Sequence, residues 1–308
     1  MVRSPERSIS RRSRSKRKGV AAASSLEPLR NQTVSPEECV KQGNLQEGLA
    51  QLQSRVRAAP QSAPDRIFLF QLLSLLGQWG RAKTQLTVAG ELDASLLLTV
   101  NGYSAALDSE EVRACVFRGE RPPVLIGEPP EWVGPLLEAL RLTSLGHFAQ
   151  AEELRAVAFE AAPAIPGAAN GKPFEWIADA DPRLGPCLEM VLEGRYCWVP
   201  LANVRQIRTQ PPARLRDLVW MPAQIQFTNG GAAPVFIPTR YPGTEFSADN
   251  QCRLSRATEW LAPAAGVSLG IGQRLFATND VDVGLCDLRS LVLGDAADDD
   301  LAMERGDG

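Results

Sequence analysis

Gly43-Asn44-Leu45-Gln46-Glu47-Gly48 is followed 34 residues later by Gly77-Gln78-Trp79-Gly80-Arg81-Ala82, and these two stretches decide the fold of the first half of the chain. In both, a glycine can end one helix, a large apolar residue can wedge between two helices, and a small residue lets the backbones approach. A period of about 34 residues is that of tetratricopeptide repeats, which stack helical pairs. A third copy, Gly146-His147-Phe148 with Ala151, begins 69 residues after the second. The spacing therefore predicts a helical repeat with one atypical unit.

The atypical unit is expected around Asp108 and Glu111, which have the spacing of a capping box and would start a helix through Val116. Four helical pairs would then lie between residues 35 and 165. The segment from Ile67 to Leu76 is apolar nearly all round, which indicates a helix covered on both sides. Repeats of this kind typically present a groove to a peptide or a helix. The alternative is a small bundle that only supports the second half of the chain.

The pattern changes between Pro163 and Pro173, where prolines and glycines are typical of a linker. Short β-branched and aromatic runs follow and predict strands, while Glu193-Gly194 and Asn229-Gly230-Gly231 have the composition of hairpin turns. Asp249 to Trp260 is the one helical candidate in this half, and two or three further strands are expected between Gly266 and Leu293. The other predicted strands are Phe174 to Ala178, Cys187 to Leu192, Tyr196 to Val199, Val204 to Ile207, Leu218 to Met221, Ile225 to Phe227 and Val235 to Ile237.

These patterns together predict an α+β protein, with N-terminal tetratricopeptide-like helical repeats followed by a small antiparallel β-rich, barrel-like domain. The expected division is a disordered basic leader at 1–34, the helical repeats at 35–165, the β-rich domain at 173–293 and a disordered acidic tail at 294–308. The longest apolar runs are far shorter than the roughly 20 residues of a membrane-spanning helix. Because no secretory signal pattern is present either, the cytoplasm is the expected location.

The net charge of −3 conceals a basic leader and an acidic body. Residues 3–18 hold eight Lys and Arg against one Glu, a local charge of +7 that leaves −10 for the rest of the chain. Such a leader could bind nucleic acid or an acidic surface, or it could come from a start codon assigned too early. No aromatic residue lies between the arginines, and an acidic body repels phosphate, so nucleic-acid binding is the weaker interpretation.

The cysteines and the histidine exclude several kinds of chemistry. The six cysteines are scattered singly, without the paired spacing of a metal site or a redox couple. The single histidine, His147, removes the usual general base and the nucleophile systems that depend on one. We therefore expect reduced thiols, no metal, no cofactor and no enzymatic activity.

Phe174 to Pro186 is the first candidate site, because Glu175, Asp179 and Asp181 are at odd-numbered positions and would share one face of a strand. Such a cluster, with Trp176 and Arg183, is conceivable as a hard-metal site or an acid/base pair. The alternative is structural. Asp181 can accept backbone hydrogen bonds in a turn, and Arg183 can pair with a neighbouring acid. We favour the turn.

Pro211 to Pro222 is the second candidate, with Arg214, Arg216, Asp217 and Trp220. Arginine, tryptophan and methionine are typical of protein interfaces. A salt bridge from Arg216 to Asp179 or Asp181 that holds the sheet together fits the same residues. The sequence leaves both interpretations open. Gly270 to Arg274 contains a GxG but lacks the context of a phosphate-binding loop, so a strand with glycines is expected there.

Several long and unusual motifs resemble the TagJ/ImpE (SciE-type) family over about residues 35 to 293. They are Phe68 to Leu73, Gly127 to Trp132, Phe174 to Pro186, Arg195 to Pro200, Leu215 to Pro222, Pro238 to Gly243 and Gly270 to Phe276. The leader from Met1 to about Arg30 departs from the family pattern.

The resemblance implies a non-enzymatic cytoplasmic accessory protein of bacterial type VI secretion. It implies a protein partner, the sheath subunit TssB, bound through one of its helices, in a system whose sheath is recycled by the ClpV ATPase. No catalytic residues are carried over from the family. The alternatives are a metal-dependent enzyme that uses Asp179, Asp181 and Arg183, and nucleic-acid binding through the leader.

Overall fold

The computed structural model describes residues 34–294, so the predictions for residues 1–33 and 295–308 lie outside the described residues. Five helices precede the first strand, two more lie between it and the remaining strands, and a short eighth lies between strands of the second half; within the described range these are the only α-helices. They are α1 Pro36–Lys41, α2 Leu45–Ala58, α3 Ala63–Leu75, α4 Trp79–Leu92, α5 Leu97–Phe117, α6 Val133–Ser144, α7 Phe148–Ala161 and α8 Asn250–Arg253.

The repeat pattern marks the second helix of three helical hairpins. Leu45, Trp79 and Phe148 are the first residues of α2, α4 and α7. The glycines before them, Gly43, Gly77 and Gly146, have φ values of 84°, 66° and 79°. Only glycine adopts this left-handed conformation without a steric cost, so it ends the preceding helix and reverses the chain. The small residues of the pattern, among them the fully buried Ala82 and Ala151, lie where paired helices touch.

The predicted helix start at Asp108 is wrong. Asp108 lies in the middle of the 21-residue helix α5, and its carboxylate accepts a hydrogen bond from Lys83 of α4 at 2.6 Å. A buried stripe that includes Tyr103, Leu107 and Glu110 runs through this region without a break. Continuous burial along one helix face outweighs a local capping signal, so one long helix replaces the fourth helical pair.

Three sheets contain all the strands of residues 34–294. The largest has nine strands in the order β1-β6-β5-β9-β8-β7-β14-β2-β3, β12 lies between β13 and β4 in a second, and β10 pairs with β11 in a third. The strands are β1 Val124–Leu125, β2 Gly167–Ala169, β3 Lys172–Phe174, β4 Ile177–Asp179, β5 Cys187–Leu192, β6 Arg195–Pro200, β7 Val204–Thr209, β8 Trp220–Phe227, β9 Ala232–Pro238, β10 Thr258–Leu261, β11 Leu269–Gly272, β12 Leu275–Thr278, β13 Val283–Gly284 and β14 Ser290–Leu293.

The α+β class is confirmed, but the barrel is not. Both predicted hairpins are present, since β5 pairs antiparallel with β6 and β8 with β9. The edge strands β1 and β3 have only two and three residues. Strands this short cannot pair along the height of a closed cylinder, so the large sheet is open.

Two local predictions in the second half also need correction. Leu218 to Met221 and Ile225 to Phe227 were expected as separate strands, but β8 is continuous from Trp220, because its alternating buried residues continue across Pro222. The helix expected from Asp249 ends at Arg253 as α8, and Thr258 to Leu261 instead extends beside β11.

The helices and the large sheet share buried cores. Trp220 of β8 is fully buried and packs against Trp79 of α4 and Tyr103 of α5, with ring centroids 5.9 and 6.1 Å apart. Arg240, which follows β9, donates at 2.9 Å to the carbonyl of Leu75, where α3 ends. These contacts hold α3 to α5 against one face of the sheet. The division into domains at 35–165 and 173–293 stays a prediction.

Two further features concern the cysteines and the length of the apolar helices. All six cysteines are free thiols, as expected. Within residues 34–294 no helix is both long enough and apolar enough to cross a bilayer.

Candidate functional site

The first candidate motif forms a turn in the structure. Asp181 is completely buried, and its Oδ1 accepts the backbone N–H of Arg183 at 2.9 Å. Its Oδ2 accepts the N–H of Gly270 at 2.8 Å and pairs with the Arg183 guanidinium at 2.5 Å. Glu175 is exposed and lies before β4, so the predicted common face of three carboxylates is wrong. Trp176, beside it, is 39% exposed.

Asp179 belongs to a second group of charges, which we call the buried ion network: Arg113 of α5, Asp179 of β4, Glu189 of β5, and Arg274. The guanidinium of Arg274 is 0% exposed and bridges the carboxylates of Asp179 and Glu189. Arg113 forms two hydrogen bonds of 2.8 Å with Glu189. The predicted bridge from Arg216 to Asp179 or Asp181 is therefore wrong, because Arg274 and Arg183 occupy those positions.

Aromatic donors complete the network around Glu189. The hydroxyl of Tyr196 donates to Glu189 at 2.6 Å, and the indole N–H of Trp198 donates to the Tyr196 oxygen at 2.7 Å. Burial alone would raise the pKa of Glu189, but the positive charges of Arg113 and Arg274 outweigh it and hold that pKa at about 2. Burial raises the pKa of Asp179 to about 7, against the opposing charge of Arg274. Each carboxylate thus has an arginine partner inside the protein.

This arrangement is suited to stabilising the fold and poorly suited to catalysis or to binding a metal ion. A metal ion or a substrate would have to displace arginine and backbone donors from Asp179 and Asp181, which are 3% and 0% exposed. Removing one partner from a buried pair leaves an uncompensated charge, which is strongly unfavourable. The network instead joins α5 to strands of two sheets.

An open groove lies beside α3, and the second candidate motif forms one of its walls. We call it the α3 groove. It consists of a cavity of about 620 Å³ and an adjoining cavity of about 280 Å³. The two share Pro64, Ile67, Gln71 and Arg214 among their lining residues. Its apolar part is formed by the half-buried Ile67 and Phe68 of α3, with Leu215 opposite.

Asp217 shapes the wall that faces α3. Its Oδ2 accepts the backbone N–H groups of Ala213 and Arg214 at 2.9 and 2.8 Å, which closes a short turn. The backbone N–H of Arg216 donates to Oε1 of Gln71 on α3 at 3.4 Å. The turn is thereby held beside the helix, with Arg214 and Arg216 lining the groove. Trp220, from the same motif, packs in the core described above.

The charges of the groove are distributed unevenly. On the α1–α3 side, Arg55 pairs with both Glu37 at 2.6 Å and Asp65 at 2.8 Å, and its hydrogen bond lowers the pKa of Glu37. On the other side, the guanidinium of Arg216 lies 4.4 Å from the ring centroid of Tyr103. Neither Arg214 nor Arg216 forms a salt bridge with any acid in the described part of the chain.

The structure brings Arg214 and Arg216 of the second motif to the groove, with Asp217 holding their turn, and Trp220 to the core. The sequence analysis did not find most of the ion network. Glu189 was visible as a lone charge inside the apolar run Cys187 to Leu192, which signals a buried charge that needs a partner. Arg113 and Arg274 carry no comparable local signal. Their partners are 76 and 85 residues away in the chain.

Comparison with known proteins identifies the family. A model of the ImpE protein family matches residues 171–292. The type VI secretion system accessory component TagJ of Pseudomonas aeruginosa is 49% identical over 255 residues, which are 83% of this chain and 89% of that protein. The chain belongs to the TagJ/ImpE family.

The fold comparison agrees with this assignment. The crystal structure of protein VPA1032 from Vibrio parahaemolyticus superposes with a TM-score of 0.76 and covers 84% of this chain and 97% of that one. At 24% identity this likeness shows the fold alone. Membership in the TagJ/ImpE family makes the chain an accessory protein of type VI secretion, and the name of its Pseudomonas relative describes a component and no enzymatic reaction.

Proposed function

We propose that the protein is a non-enzymatic adaptor that binds the sheath subunit TssB in the cytoplasm by seating one helix of TssB in the α3 groove. In this role it serves sheath assembly or ClpV-driven recycling. The observation that carries the proposal is the groove itself, an apolar lane of Ile67, Phe68 and Leu215 between charged walls. Amphipathic helices bind such grooves through apolar residues at i, i+3, i+4 and i+7.

The geometry of the groove favours a helix over an extended peptide. An extended peptide typically adds to the free edge of a sheet. The edges of the large sheet are β1 and β3, whose residues do not line the groove, and β3 contains Pro173, which has no N–H to donate. The groove walls are instead helices and a turn.

The rival proposals have weaker support. A metal-dependent enzyme centred on Asp179, Asp181 and Arg183 would need open coordination positions, and the acids are already bonded to arginines and backbone groups. Nucleic-acid binding would depend on the leader, which lies outside the described residues.

Calorimetric titration of the full 308-residue chain with TssB tests the adaptor proposal. We expect saturable one-to-one binding without turnover. Ile67→Glu places a charge in the apolar lane and should weaken binding at least about tenfold, since truncating or charging a buried anchor typically costs more than about 1.4 kcal/mol. Val157→Glu, on the exposed face of α7, is the matched control and should bind as the unaltered chain does.

If titration with full-length TssB releases no heat and the two proteins do not co-elute, TssB is not the partner. Equal binding by Ile67→Glu and the unaltered chain would move the docking site away from the α3 groove. Addition of ClpV to the preformed complex, followed by size-exclusion chromatography, then separates the roles. A ternary complex supports recycling, and displacement of the adaptor by ClpV supports assembly.

A further inference from the structure

The two walls of the α3 groove differ in net charge. On one wall, Glu37 and Asp65 share the single guanidinium of Arg55, which leaves one negative charge in excess. On the opposite wall, Arg214 is exposed and Arg216 is partly exposed, and the salt bridges within residues 34–294 include neither of them. The carboxylate of Asp217 in the same turn is buried and accepts backbone N–H groups, and Asp93 is the one further acid that lines the smaller cavity in the described residues. The wall with Arg214 and Arg216 is therefore the more positive of the two.

Arg216 has the geometry of a preorganised carboxylate receptor. Its guanidinium stacks on the ring of Tyr103, 4.4 Å from the centroid, and the residue lines the smaller cavity. A guanidinium that stacks on an aromatic ring keeps its donor edge available and loses little side-chain freedom on binding. Planar donors in this arrangement match the two oxygens of a carboxylate.

Arg214 extends the same surface. It lines both cavities, whereas Arg216 lines the smaller one. Hydrogen bonds to Asp217 and Gln71 fix the backbone of the turn at Arg214 and Arg216, so both side chains start from defined points along the wall. Two cations along one wall suit acids that lie one helical turn apart on the same flank of a ligand.

From this geometry we infer that the α3 groove selects an amphipathic helix that carries carboxylates on one flank only. The apolar stripe lies on Ile67, Phe68 and Leu215, the acidic flank faces Arg214 and Arg216, and the other flank, neutral or basic, faces Glu37 and Asp65. This inference rests on the proposed function insofar as the occupant is a partner helix. It adds the chemistry and the orientation of that helix, since the reverse orientation would place acids against acids.

Three designed helical peptides test the inference without reference to any natural partner. All carry the same leucine stripe at i, i+3, i+4 and i+7, and one flank bears Glu, Gln or Lys. Fluorescence anisotropy with the full chain should rank their affinities as Glu above Gln above Lys. The step from Gln to Glu should be about fivefold at low salt, and it should shrink when the salt concentration rises, because exposed ion pairs are screened.

Charge reversal in the protein gives the reciprocal test. Arg214→Glu should remove the preference for the Glu peptide and favour the Lys peptide. Arg205→Glu, on an exposed position of β7, is the matched control and should leave the ranking unchanged. Melting curves of both variants show whether each is folded, and Arg214→Gln, which should abolish the preference without reversing it, provides a second reading.

The outcomes separate this inference from the proposed function. Equal affinity for the three peptides, no binding by any of them, or a ranking that Arg214→Glu does not change would each overturn the charge selection. Titration with TssB decides the adaptor proposal independently. If Arg214→Glu binds TssB as tightly as the unaltered chain does, the adaptor proposal stands and the charge selection is rejected. If the chain selects among the peptides but does not bind TssB, the charge selection stands and TssB is rejected as the partner.

Discussion

The protein places guanidinium groups on tyrosine rings in two regions, with opposite consequences. In the buried ion network, Arg274 lies 5.4 Å from the ring centroid of Tyr241 and is also paired with two carboxylates. In the α3 groove, Arg216 stacks on Tyr103 but pairs with no acid within residues 34–294. An arginine whose charge is neutralised internally contributes to the fold. An arginine that lines a cavity and keeps its charge available is suited to a partner.

The largest effect on stability is expected at Glu189, the central carboxylate of the buried ion network. Glu189→Gln removes the charge that Arg113 and Arg274 share, which leaves Arg274 with Asp179 alone and Arg113 with only a longer contact of 3.5 Å to Glu110. We expect a loss of about 3–5 kcal/mol in the free energy of unfolding, measured by urea denaturation. Asp108→Asn, which removes the carboxylate from an exposed pair with Lys83, is the control and should cost less than about 1 kcal/mol. Similar losses in both variants would mean that the buried ion network contributes no more to stability than an exposed ion pair does.

The pH dependence of Glu189 sharpens this prediction. The pKa of Glu189 is lowered from 4.5 to about 2 in the folded protein. Its ionised form therefore stabilises the fold fully above about pH 4.5, and this contribution is lost as the pH falls toward 2. The difference in unfolding free energy between the unaltered chain and Glu189→Gln should shrink as the pH falls from 4.5 toward 2, by up to roughly 3 kcal/mol. A difference that stays constant down to pH 3 would contradict the assignment.

Local signals explain which parts of the fold could be predicted. The glycines at 43, 77 and 146 need a left-handed backbone whatever the rest of the chain does, so they locate three helix starts from sequence alone. The capping-box spacing at Asp108 is also a local pattern, but it is a weaker signal than the glycines, and it predicted a helix start that the structure does not have. The buried stripe of α5 depends on a sheet that forms from residues much later in the chain.

The candidate site was predictable only in part, for the same reason. The composition of Pro211 to Pro222 left an interface and a structural salt bridge both open, and in the structure Arg214 and Arg216 line the groove. The groove itself requires α3, and the contact between Gln71 and Arg216 spans 145 residues of sequence. Likewise, nothing near Asp179 in the sequence shows that its partner is Arg274, 95 residues away. Which arginine pairs with which acid is decided by the tertiary fold.

Asp217 lies between the two extremes, because its carboxylate holds a wall of the groove and, among residues 34–294, accepts hydrogen bonds from backbone N–H groups only. Asp217→Ala removes the acceptor for the N–H groups of Ala213 and Arg214. We expect a loss of about 2 kcal/mol in stability, typical of hydrogen bonds to a charged group, together with weaker TssB binding. Asp217→Asn retains one acceptor oxygen and should show a smaller loss in both. Unchanged binding in a destabilised Asp217→Ala protein would separate the turn from the docking surface.

The smallest effect on stability is expected at Arg214. This variant tests whether the groove arginines differ from the arginines of the buried ion network. Arg214 is exposed and its side chain has no ionic partner in the described residues, so Arg214→Ala should change the free energy of unfolding by no more than about 0.5 kcal/mol. TssB binding by the same variant should weaken a few-fold, more at low salt than at high salt, because the lost interaction is with the partner. Urea denaturation and calorimetric titration at two salt concentrations measure both quantities on one preparation. If Arg214→Ala destabilised the fold by more than about 1 kcal/mol and left binding unchanged, the groove arginines would be structural, as Arg274 is, and the contrast between the two regions would fail.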